Sequence, residues 1–182
     1  MTSDRLLNLL PVLALALICS IAIWHDLRAR RIPNTLIAAG AAAAFLLQAL
    51  LPASAGIRTS LAGFGTGLLL LLPFYAMRTL GAGDVKLMAV VGAFLGPWGV
   101  LGATLLTMLC GGLLALAVAW KSGQLLQVTV NVQQMLRGLS GAGAKVDAPV
   151  VATGKLPYAI AIGCGTAAQL MLAGTPEWHF FT

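Results

Sequence analysis

Long apolar stretches, broken by short polar turns, run through this chain almost from end to end. A helix of ~20 apolar residues matches the hydrocarbon thickness of a bilayer. Inside a bilayer only helices and closed barrels satisfy every backbone amide. Hydrophobic residues make up 59% of the 182 positions and charged residues 9%, with a mean hydropathy of +0.94, beyond ordinary soluble composition. The pattern predicts an all-α polytopic membrane protein, a single domain over residues 1–182. A separate soluble domain of normal size does not fit beside the spans.

Six spans are predicted, at about 6–24, 35–51, 60–77, 85–95, 99–120 and 158–173. Pro73 is expected to bend the third, and Gly96-Pro97-Trp98-Gly99 to separate the fourth from the fifth. The fourth is too short to cross untilted, so it recruits flanking residues or lies buried among its neighbours. Trp24, Trp98, Trp120 and Trp178 fall near span ends, as an aromatic belt requires. Gly63, Gly65 and Gly67, with Gly92 and Gly96, permit close helix packing. The first stretch reads as a retained span rather than a cleaved leader, because Asp4 balances Arg5 and three arginines follow it. Residues 121–156 form a polar loop. Within it Leu125, Val128, Val132, Met135, Leu136 and Leu139 share one helical face, as in an interfacial helix, although the alternation at 128–132 fits a strand equally.

The formal charge of +6 is spread over short loops, which marks topology rather than nucleic-acid binding. With the N-terminus outside, Arg28, Arg30, Arg31, Arg78, Lys86, Lys121, Arg137, Lys145 and Lys155 all become cytosolic, and only Arg5 and Arg58 lie opposite. Both termini are then non-cytosolic. Cys19, Cys110 and Cys164 fall in spans without a CxxC pair and read as small packing residues.

Acids are scarce, five in all, and two abut the spans: Asp26 in His-Asp-Leu-Arg-Ala-Arg-Arg-Ile-Pro-Asn and Asp84 in Gly-Ala-Gly-Asp-Val-Lys. Acids at membrane depth cost roughly 2.5–3.5 kcal/mol on insertion scales and mark functional positions by default. The topology puts both near the cytosolic face. Asp26 stands at a helix C-terminus, the wrong end of the dipole for an anion. A plain reading leaves it a surface acid neutralised by the nearby arginines. Pro33 and Asn34 punctuate the following turn, with Asn34 placed to cap the second span. Gly81 and Gly83 leave room beside Asp84, and Lys86 supplies a cation in the same layer. The plain reading of this segment is a loop, an N-capping aspartate and an interfacial lysine.

Paired carboxylates that share a proton can divide the work of base and acid, activating water against a carbonyl and protonating the leaving group. No cofactor is called for, and neither His25 nor His179 belongs to a cluster of metal-ligand spacing. His25 reads as an interfacial polar residue.

At these residues the chain resembles the aspartic prepilin peptidases. Asp26 through Asn34 looks like the family's first-aspartate motif, and Gly81 through Leu87 its Gly-x-Gly-Asp-x-Lys motif. The short length and the segment Lys155-Leu156-Pro157-Tyr158-Ala159-Ile160-Ala161 are most similar to the branch serving tight-adherence (Flp-type) pili. The resemblance implies a GxGD-type intramembrane aspartic protease bundle in the bacterial inner membrane. It would remove the short basic leader from prepilins and pilin-like proteins at the cytosolic face, with Asp26 and Asp84 as the catalytic pair and Gly81, Gly83 and Lys86 shaping the second site. Substrate precursors, the bilayer and other pilus-assembly components are the partners it implies. The paired-cysteine insert of larger methylating relatives has no counterpart after the first span, so N-methylation is not expected.

A small proton- or ion-coupled transporter, with Asp26 and Asp84 as relay carboxylates, is the alternative from another class. Transporters usually show inverted repeats and broken helices at mid-membrane. Neither feature is evident in the sequence. A presenilin-like protease shares the Gly-x-Gly-Asp element but not the Ile-Pro-Asn turn. A catalytically silent assembly factor is the third option.

Overall fold

A computed structural model describes residues 2–51, 56–77, 79–121, 123 and 158–173, with side chains described from residue 9 onward. The polar loop, with its candidate interfacial helix or strand, lies outside the described residues, as do Trp178 and His179. Five helices are present among the described residues: α1 (Thr2–Ala29), α2 (Asn34–Leu50), α3 (Gly56–Ala76), α4 (Ala82–Lys121) and α5 (Tyr158–Ala173). By length and hydropathy α4, α3 and the Leu9–Ala29 part of α1 suffice to cross a membrane, while α2 and α5 are shorter apolar helices.

α4 is two limbs rather than one rod. Gly96 has φ 73° and ψ 178°, a backbone conformation that L side chains rarely adopt and glycine adopts freely. Pro97 then opens the second limb, where its missing N–H and fixed φ suit a first helical turn. The Val100 side chain comes within 3.2 Å of where a Cβ on Gly92 would stand. A straight helix would hold those two residues about 12 Å apart along its axis, so the limbs fold back on each other. The sequence pattern anticipated this turn as the break between its fourth and fifth spans.

The turn leaves carbonyls to be satisfied. Ala93 O would normally accept from the residue four positions on, which is Pro97 and has no N–H. Ser60 Oγ donates to it instead at 2.7 Å. Gln48 Nε2 donates to Phe94 O at 3.0 Å. Both side chains are buried, which is how apolar helices afford polar residues at this depth.

The first limb is the most enclosed stretch among the described residues: Leu87, Met88, Ala89, Val90 and Val91 are all fully buried. Of the two readings offered by its short length, burial among neighbours is realised, and the helix also takes in the flanking residues from Ala82 to Asp84. α3 runs antiparallel along it. Glycines meet at the crossing, where a Cβ on Gly63 would collide with the Gly92 carbonyl and stand 2.8 Å from the Gly96 backbone. A Cβ on Gly67 would stand 2.5 Å from the Met88 carbonyl oxygen, whereas Gly65 points into open space. The expected close packing therefore holds for Gly63, Gly67, Gly92 and Gly96 but not for Gly65. On the second limb α5 is also antiparallel, with Gly165 against Thr107, Gly102 against Gln169, and Gly111 against the Tyr158 ring. α1 lies along α5, placing Ile23 beside Gly163. α2 runs parallel to the first limb of α4, with Gly40 against Val90.

These pairings bring the end of α1, the starts of α2, α4 and α5, and the ends of α3 and α4 to one end of the bundle. The outer faces remain apolar. Leu13, Leu17, Leu69, Leu105, Leu109 and Leu113 are all more than 60% exposed, which suits lipid rather than water.

Candidate active site at the end of the bundle

Asp26 lies in the last turn of α1 and is only 9% exposed. Its Oδ2 accepts from the backbone N–H of Ala159 at 3.2 Å. Ala159 belongs to the first turn of α5, where amide hydrogens have no partner within the helix. The aspartate that is misplaced on its own helix dipole thus sits at the positive end of another. Its backbone carbonyl accepts from Arg30 N at 2.9 Å. Arg30 has φ 50° and turns the chain out of the helix. Arg28 stacks its guanidinium 4.9 Å from the centre of the exposed Trp24 ring, a cation–π contact that occupies one of the nearby cations.

Asp84 is the third residue of α4 and is half-buried. Its Oδ2 accepts from Gly81 N at 3.2 Å, while Gly81 O accepts from Asp84 N at 3.1 Å. Asp84 thus reaches back from the third helical position to the N–H before the helix, one half of a capping box, and serves the helix start from inside it rather than as the N-cap. Geometry adds more than a cap. Asp26 lies close enough for its charge to act on the Asp84 carboxyl, and the Asp84 charge in turn reaches the Tyr158 phenol. The two acids, remote in sequence, share one end of the fold.

The surrounding motif residues lock the two segments together. A Cβ on Gly83 would stand 3.2 Å from the Ile32 side chain, so the missing side chain lets the first motif pack against the second. A Cβ on Gly81 would come 3.1 Å from Asp84 Oδ2. Lys86 Nζ donates to Asn34 Oδ1 at 2.9 Å, joining the start of α4 to the start of α2. The structure corrects one expectation here. Asn34 does not cap α2; Pro33 holds the cap position with φ −67° and ψ 136°, without a side-chain hydrogen bond. The Pro33 carbonyl accepts from Leu36 N and Ile37 N, and the Asn34 side chain reaches Lys86 instead. Two participants were not singled out as site residues from the sequence, Ala159 and Tyr158. Ala159 acts through its backbone, which residue identity does not reveal. Among the described residues no three His, Cys, Asp or Glu side chains gather as a metal site would need.

The apolar helical bundle, with Asp26 and Asp84 at one end, is that of a membrane protein. The type IV leader peptidase family model matches residues 13–116, more than half of the chain. The chain belongs to the type IV leader peptidase family. Membership carries the coarse activity with it, that of a hydrolase acting on leader peptides. No curated protein and no solved structure matches the chain significantly.

Proposed function

We propose that the chain is an aspartic endopeptidase that removes the short basic leader from Flp-type prepilins and pilin-like proteins. The observation that carries this reading is the meeting of Asp26 and Asp84 at one end of the bundle, each tied to a helix start by a backbone N–H. One carboxylate takes a proton from water as its oxygen bonds to the scissile carbonyl carbon. The other, protonated, donates to the carbonyl oxygen. Collapse of the tetrahedral adduct breaks the C–N bond, and a proton passes from the pair to the departing amine. Atoms and charge balance with water as the only co-reactant.

The site end is proposed to face the cytosol of a bacterial inner membrane. Arg28, Arg30, Arg31, Lys86 and Lys121 all lie at that end, while Arg58 stands at the start of α3, at the other. That asymmetry supports a positive-inside orientation. The two limbs of α4 with the other four helices supply the six rods that such a topology needs.

The test is co-expression with a tagged Flp-type prepilin, followed by gel shift and N-terminal sequencing. Wild type is expected to remove the leader, and Asp26→Asn or Asp84→Asn to leave the precursor intact while inserting normally. Removing one partner of general acid–base catalysis costs on the order of 10²–10⁴-fold. Processing by either variant at the wild-type rate would remove that aspartate from the mechanism. Intact precursor with wild type, across a panel of pilin-like substrates, would favour the relay-carboxylate reading.

A further inference from the structure

The first turn of α5 enters the site twice, once through a backbone amide and once through a ring. Ala159 N–H holds Asp26 Oδ2 at 3.2 Å, which places the adjoining Tyr158 backbone within one residue of that carboxylate. The half-buried Tyr158 side chain lies where the Asp84 charge acts on its hydroxyl. Its direction is fixed by α4: a Cβ on Gly111 would stand 2.8 Å from Tyr158 Cε2 and 3.2 Å from its hydroxyl oxygen. The Cε2 and hydroxyl edge of the ring therefore fills the space that a side chain on Gly111 would take, and cannot be moved toward that wall.

We propose that Tyr158 is a third substrate-contacting residue, its phenol donating a hydrogen bond to the scissile carbonyl oxygen beside Asp84. The inference rests on the aspartic peptidase reading above. Two carboxylates must activate a water and protonate an oxygen on the same carbonyl, and both tasks grow easier as that carbonyl is polarised. A phenol is suited to this. It is neutral across the working range of a carboxylate pair, donates through one O–H, and carries a rigid ring that costs little entropy to hold in place. No proton transfer through the tyrosine is required. Gly111 is explained by the same arrangement, since any side chain there would displace the ring.

The experiment measures steady-state cleavage of a Flp-type prepilin by the full chain in proteoliposomes, comparing wild type, Tyr158→Phe and Asp26→Asn. The Phe variant keeps the ring against Gly111 and removes only the hydroxyl. Loss of a preorganised donor to the reacting oxygen is expected to lower kcat by about 10²-fold. KM should stay within about twofold, and the thermal unfolding midpoint should match wild type, because a donor used mainly in the transition state spares both. Wild-type kcat in Tyr158→Phe, with Asp26→Asn inactive, would overturn the tyrosine's role and leave the aspartic mechanism standing. A loss confined to KM, or one that tracks a lowered unfolding midpoint, would also overturn it. A wild type that cleaves no precursor would remove both readings together.

Discussion

The hydrogen bond from Lys86 to Asn34 can be isolated by a double-mutant cycle. Lys86→Met removes the ammonium but keeps an unbranched stem of similar length, and Asn34→Ala removes the acceptor. The bond is 2.9 Å long and has a charged donor. Hydrogen bonds to charged groups contribute about 1.5–3 kcal/mol in protected settings. Asn34 is exposed and Lys86 half-buried, so water competes, and the bond is better assigned about 1–1.5 kcal/mol. If that energy holds Asp84 in register with the first motif in the transition state, kcat/KM falls roughly 5- to 12-fold on its loss. The four proteins would be compared for leader cleavage in proteoliposomes. Both single variants and the double variant should then show nearly the same loss, because each removes one shared bond. A double variant whose loss is the product of the two single losses, with coupling below about 0.5 kcal/mol, would refute the reasoning. Lys86 would then be an interfacial anchor independent of Asn34.

Other expectations follow from the same geometry. Gly63→Ala should lower the unfolding midpoint in detergent by the equivalent of about 1–3 kcal/mol, since its methyl would press on backbone that cannot rotate away. Gly65→Ala, which meets nothing within 4 Å, should be neutral or stabilising, and equal midpoints for the two variants would contradict the packing described. The pH profile of kcat/KM for leader cleavage should be bell-shaped. Activity falls on the acid side as the basic carboxylate is protonated, and on the alkaline side as the acidic one loses its proton. A profile with a single limb would argue against two carboxylates in opposite roles.

What was legible in the sequence was what depends on local composition or on rarity. Spans are readable because hydropathy accumulates over a whole helix. The start of α2 and the break before Pro97 were readable because proline constrains its own position wherever it stands. Asp26 and Asp84 stood out because acids beside apolar segments are costly. Side-chain partners across the bundle were not legible. Asn34 has the chemistry of a cap and sits at the right turn, yet Pro33 is the residue before the helix, and the amide is drawn to a lysine on another element. Likewise the short fourth segment offered burial as one reading of its length, but not which elements enclose it; that follows from α3 and α2 both closing on it through glycines.

Asp26 shows why such gaps are informative. On α1 alone the residue opposes the helix dipole, and sequence reasoning registers only a misfit. Its resolution needs Ala159, a residue with no functional group of its own, delivered by a helix far along the chain. The donor is a backbone amide at a helix start, and any non-proline residue there would offer the same hydrogen. A carboxylate placed against its own dipole and then compensated by a distant helix ties local stability to assembly of the bundle. The buried carboxylate is therefore satisfied only when α5 docks, and the same docking sets the Tyr158 ring beside Gly111 at that end of the bundle.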